Sequence, residues 1–194
     1  MDKTFPLYVS LVHYPVLDKN GATVTTSVTL FDIHDIARSC VTFGVSAFYI
    51  INHAPKQQEV VQRVIDFWNT GFGKEYNANR KEALDIVRTT NYWEDSRDAI
   101  EKETGQKPIV IGTSARRHQS KLLTNEQAQH VLLKKPVLLL FGTGWGLSPD
   151  IVQSVDYMLQ PIEGPTDYNH LSVRSAVAIL LYELTKVFSP TEKL

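Results

Sequence analysis

Two short stretches hold the residues best suited to chemistry. Leu139-Leu140-Phe141-Gly142-Thr143-Gly144-Trp145-Gly146-Leu147 is an apolar strand that runs into three glycines spaced by single residues. Alternating glycines cost chain entropy and pack no side chain, so a folded domain keeps them where backbone must approach something closely, usually a ligand. A side chain at Gly144 is therefore expected to block that ligand. The second stretch, from Gln160 to Arg174, is a polar loop with Asp167, His170 and Ser172 ahead of an apolar helical segment. A carboxylate or an imidazole there can orient or accept a proton. Placed at one end of one sheet, the two loops would enclose a small-molecule pocket. Thr113-Ser114-Ala115 follows another strand and would form its third side.

Competing chemistries fit less well. A dinucleotide fingerprint needs a third glycine where Leu147 stands and should follow the first strand of a βαβ unit. The chain has no Gly-Lys-Ser/Thr phosphate loop. His34, Asp35 and His53 lack a metal-ligand spacing, so no metal is expected. Cys40 is the single cysteine and falls at a helical apolar position, which reads as core and rules out an internal disulfide.

The elements that must position these loops alternate along the chain. Apolar strand-like runs cover 7–12, 47–51, 84–89, 108–112, 136–141 and 155–159, and helical periodicity covers 32–43, 55–70, 93–103, 124–133 and 171–188. Thr124 and Gln127 fit a capping box, and Ser148-Pro149 fits the cap and first position of a short helix. The segment 18–29 is a hairpin or an ordered loop, with Lys19-Asn20-Gly21 as a good turn. Continuous apolar strands alternating with helices predict an α/β fold, a mostly parallel sheet with helices on both faces. The 194 residues suit a single domain over 1–194, and a hydrophobic content of 43% supports a full core. No apolar run reaches the length that spans a bilayer, and the N-terminus has no apolar signal core, so a cytoplasmic protein without membrane contact is expected.

Net charge is -1, yet between Thr104 and Pro149 six bases face one acid, Glu126. Lys107, Arg116, Arg117, Lys121, Lys134 and Lys135 could form a local basic surface or an ordinary solvated one.

Three blocks in order resemble the SPOUT superfamily of S-adenosylmethionine-dependent RNA methyltransferases. They are Asp32-Ile33-His34-Asp35-Ile36-Ala37-Arg38 with Thr42-Phe43-Gly44-Val45, then Leu140 to Leu147, then Pro161-Ile162 through Asp167-Tyr168-Asn169-His170-Leu171-Ser172-Val173-Arg174-Ser175-Ala176. The resemblance covers nearly the whole chain and is nearest to small, stand-alone bacterial members. It implies a C-terminal deep trefoil knot, a homodimer and an RNA substrate. S-adenosylmethionine would lie among Thr113, Ser114, Leu140, Gly142, Thr143, Gly144, Leu159, Pro161, Ile162, Leu171 and Val173. Arg38 would act at the acceptor and Asp167 as the carboxylate that some base-methylating members carry in the knot loop. Ribose-methylating members have serine and asparagine where this chain has His170 and Ser172, so base methylation is favoured. Arg116, Arg117 and Lys121 are the expected RNA contacts. A cofactor-binding regulatory or RNA-binding protein without methyl transfer is the alternative.

Overall fold

The computed structural model describes residues 6–70, 75–118 and 121–188. Strand β1 (Leu7–Val12) lies inside a seven-stranded sheet, third in its order. After it come a hairpin, β2 (Val16–Leu17) with β3 (Thr23–Val24), and helix α1 (Leu30–Thr42). Next are β4 (Ala47–Ile51), α2 (Pro55–Asn69), α3 (Ala78–Asp85), β5 (Val87–Thr90) and α4 (Trp93–Thr104). The second half contains β6 (Ile109–Gly112), β7 (Leu122–Leu123), α5 (Asn125–Leu132), β8 (Val137–Gly142), α6 (Pro149–Ser154), β9 (Tyr157–Leu159) and α7 (Val173–Thr185). The order across the sheet is β5-β4-β1-β8-β6-β9-β7, and every described pairing in it is parallel.

The strands are apolar on both sides because both faces are covered. Leu7, Val9, Leu11, Phe48, Ile50, Leu139 and Phe141 pack on one face against Ile33, Ile36 and Ala37 of α1 and Val177, Leu181 and Leu184 of α7. Their alternates Tyr8, Val12, Tyr49, Ile51, Leu138 and Leu140 meet Trp93 and Ile100 of α4 and Ile151 of α6 on the other. The chain moves from β1 outward to β4 and β5 on one side, while β8 and β6 lie on the other. Their carboxyl ends therefore diverge at a topological switch point, where open α/β sheets leave a crevice.

Several boundaries differ from the expectation. The run 84–89 does not form one strand: Leu84 and Asp85 close α3, and the strand begins at Val87. Ala83, Leu84, Ile86 and Val87 are all apolar, and a short apolar run does not distinguish a helix end from a strand start. The capping box of Thr124 and Gln127 is present. Ser148 stands at the N-cap of α6 without making a side-chain cap bond. The segment 18–29 contains the β2–β3 hairpin arm, where the Asp18 carboxylate accepts from Asn20 N–H and Ala22 N–H.

Candidate cofactor and acceptor cleft

A cleft of about 990 Å³ opens at the carboxyl ends of β1, β8 and β6. That is the upper end of what one drug-sized ligand occupies, so it has room for two reactants. The glycine turn forms one wall, with Gly142, Thr143, Gly144, Trp145 and Gly146 all on it. Gly144 has φ 59° and Gly146 φ 105°, conformations that favour glycine. A Cβ at Gly142 would come 2.6 Å from Leu147 N, and one at Gly144 would come 2.8 Å from Leu17 O. Both would meet backbone of the fold itself. A side chain at Gly144 therefore disturbs the turn itself as well as the ligand space expected beside it. That turn is pinned to β2, since Trp145 N–H donates to Leu17 O and Leu17 N–H to Gly146 O, each at 2.9 Å.

Thr143 joins this wall to the end of β1. Its hydroxyl donates to Val12 O at 3.0 Å and lies 2.5 Å from the Thr26 hydroxyl, which in turn is 2.9 Å from His13 Nδ1. His13 is fully buried, and its Nε2 has no partner among the described residues. Burial pushes this imidazole down to about 4, against a small opposing pull from Asp32. With the Thr143 proton on Val12, Thr26 donates to Thr143 and accepts from Nδ1–H, a polarity that uses all three contacts.

The opposite wall is the loop 160–172 with the start of α7. Gln160, Ile162, Asp167, Asn169, His170, Leu171, Ser172 and Val173 line it, with Ala176 and Leu180 behind. Asn169 Nδ2–H donates to Ala115 O at 2.9 Å, and Arg117 pairs with Glu163 at 2.7 Å, so this loop is tied to the loop after β6. Thr113, Ser114 and Arg116 form the third side. The Thr113 hydroxyl and N–H both donate to Leu140 O.

Thr113, Ser114, Gly142, Thr143, Gly144, Ile162, Leu171, Val173 and Asp167 thus come together on the cleft. Leu140, Leu159 and Pro161 are buried behind it, the two leucines in the core. Arg38 is on the exposed face of α1 and does not line the cleft, while Asp32, six residues earlier, does. Asp32 and Asp35 face Arg174 at 3.6 and 3.5 Å, so the carboxylates nearest Arg38 in sequence are shared with α7. Among the basic residues, Arg116 reaches the cleft, Arg117 is paired, and Lys121 Nζ donates to Gln153 O and Val155 O. Sequence reasoning missed His13, Thr26 and Asp32 as cleft residues. His13 follows a strand end and Asp32 starts a helix, but neither carries a spacing signal.

A cofactor with an adenine, a diol and a charged amino-acid tail fits this cleft. Ile162, Leu171, Val173, Ala176 and Leu180 supply apolar surface, the glycine turn supplies unobstructed backbone, and Asp167, Asn169 and Gln160 supply polar ends. A family model described as "SAM-dependent RNA methyltransferase" matches residues 6–186. The chain belongs to that family. Membership makes S-adenosylmethionine the cofactor of this methyltransferase and RNA its substrate class.

Among relatives, an uncharacterized protein of Aquifex aeolicus is 38% identical over 182 residues, which are 92% of this chain and 87% of the relative. A protein of Oleidesulfovibrio alaskensis named tRNA (guanine-N(1)-)-methyltransferase is 43% identical over 90% of this chain. This methyltransferase spans 41% of that relative's length, and 41% of a second protein of the same name from Nitratidesulfovibrio vulgaris. Solved structures share the fold. A probable methylase family protein from Haemophilus influenzae Rd KW20 has a TM-score of 0.64 at 21% identity, covering 97% of this chain and 70% of that one. An AdoMet-bound rRNA methyltransferase from Sinorhizobium meliloti has a TM-score of 0.58 at 15% identity, covering 97% and 59%.

Proposed function

We propose that this methyltransferase transfers the methyl group to a base of its RNA, working as a cytoplasmic homodimer. The cleft carries the proposal, because it holds two carboxylates, Asp32 and Asp167, and an uncharged imidazole, His13, around the space between its walls. A base nitrogen must lose or share a proton to attack a methyl group, and a carboxylate can orient or accept that proton. The cofactor supplies the methyl group on a sulfonium. The chain supplies alignment, which is most of what an in-line transfer requires. Asp167, exposed on the rim, is assigned to proton handling. Arg38 stabilises the acceptor from outside the single-chain cleft, which gives the RNA or a second protomer the task of bringing the reacting atoms to it. Arg116 and Arg117 hold the RNA backbone beside the cleft. Two relatives named tRNA (guanine-N(1)-)-methyltransferase support a base as acceptor, although most of their length lies outside the matched region.

The same proposal includes a threaded C-terminus. Gly112 of β6 and Leu122 of β7 both stand opposite Met158 of β9, on its two flanks. The chain therefore leaves β6 on one flank of β9 and re-enters the sheet as β7 on the other. This register supports a knot.

The test is incubation with radiolabelled S-adenosylmethionine and RNA lacking the modification, followed by nucleoside mapping. A labelled base is expected. A labelled ribose would overturn the base assignment, and tight cofactor binding without transfer to any RNA pool would favour a regulatory or RNA-binding protein.

A further inference from the structure

The cofactor loops account for one side of the cleft. Facing them, at the carboxyl end of β1, are His13, Thr26, Ser27 and Asp32. Asp32 brings a negative charge to that side, with a side chain only 12% exposed. The Thr29 hydroxyl donates to its Oδ2 at 2.6 Å. Arg174 stands 3.6 Å from Oδ1, beyond hydrogen-bond distance, so Oδ1 keeps open acceptor capacity. His13 adds no positive charge beside it near neutral pH. The Thr29 bond and the Arg174 ion pair leave this carboxylate lone pairs that a donor in the cleft can fill. It accepts and cannot donate, so its complement is a group with N–H donors, and two adjacent donors fit its two oxygens best. Guanine offers that pair, the ring N1–H beside the 2-amino group; adenine and cytosine offer an amino group beside a bare ring nitrogen.

We propose that Asp32 reads the target base, its carboxylate accepting N–H donors from the edge of a guanine. This rests on base methylation as the function of the cleft. Thr29 caps the helix that carries Asp32, and Arg174 faces the carboxylate from α7.

The test begins with nucleoside mapping of the wild-type product and then replaces the target guanosine by inosine, which lacks the 2-amino group. Single-turnover methyl transfer on both transcripts and cofactor affinity by calorimetry are measured for wild type, Asp32→Asn, Asp32→Ala and Thr29→Ala. The wild type should favour guanosine by about tenfold or more, the effect of removing one hydrogen bond to a charged group. Whichever Asp32 variant melts like wild type should lose that preference and most of its rate while keeping its affinity for S-adenosylmethionine. Thr29→Ala should melt lower and keep the preference, which separates base reading from helix capping. The proposal is overturned by a wild type indifferent to inosine, by an Asp32 variant that keeps the preference, or by one whose cofactor affinity falls as far as its rate. A methylated base other than guanine overturns it too and leaves base methylation standing, whereas a methylated ribose overturns both.

Discussion

Single atoms decide the cleft. Gly144 lies in the left-handed region, and an added Cβ would stand 2.8 Å from Leu17 O, an oxygen held in place by Trp145 N–H. Gly144→Ala is expected to cost about 1–3 kcal/mol of stability and to weaken cofactor binding through the distorted turn. Urea melts and calorimetry check this, and unchanged stability with abolished binding would leave direct obstruction as the cause. His13 gives a pH prediction. Its folded-state pKa is near 4, below the unfolded value of 6.5, so the unfolded chain binds the extra proton between those values. The stability it contributes is complete above pH 6.5 and is lost as pH falls toward 4. At pH 5 the loss relative to pH 7 is about 2 kcal/mol. Urea melts at both pH values should show it, and His13→Gln should flatten the difference.

Elements redistribute what the sequence places side by side. The basic stretch is contiguous in sequence but divided by the sheet. Lys107 precedes β6, and Lys134 and Lys135 precede β8, so these three lie at the amino ends of the strands. Arg116 and Arg117 follow β6 at the carboxyl ends, beside the cleft. Lys121 stands apart from both groups, its ammonium donating to Gln153 O and Val155 O at the end of α6. Lys121→Ala should therefore lower stability by about 1–2 kcal/mol and leave RNA affinity nearly intact. Arg116→Glu with Arg117→Glu should do the reverse. Each RNA phosphate that the double variant no longer neutralises should reduce the slope of log affinity against log salt by about 0.7–0.9. Binding isotherms at several salt concentrations distinguish the two variants, and an unchanged slope in the double variant would move the RNA to another face.

For the whole molecule, exposed apolar surface predicts assembly. Phe31 at the start of α1 is 71% exposed, with Leu30 beside it, and Ile179 and Tyr182 project from α7. Arg174 lies over the Phe31 ring and Phe43 meets Tyr182, so α1 and α7 share this side of the molecule. Contiguous exposed apolar surface marks an interaction site. Light scattering should give twice the chain mass of 21.9 kDa, and Tyr182→Glu with Ile179→Glu should shift the protein to monomer. A wild-type monomer at micromolar concentration would count against the homodimer.

Periodicity alone determined the parallel α/β sheet, because strands covered on both faces must be apolar throughout and the helices between them must be amphipathic. Three alternating glycines likewise marked the turn that walls the cleft, since Gly144 and Gly146 have φ above zero and a Cβ at Gly142 would meet Leu147 N. Only the tertiary structure decided which side chains share the cleft. His13 and Asp32 reach it through the end of β1 and the first turn of α1, while Leu140 and Leu159, inside the expected motifs, turn into the core. In a strand, neighbouring residues face opposite sides, and the register that selects the side is set by partners far away in sequence. The pairing of Ser10 with Leu140, 130 residues apart in the chain, is such a contact, and no local spacing encodes it.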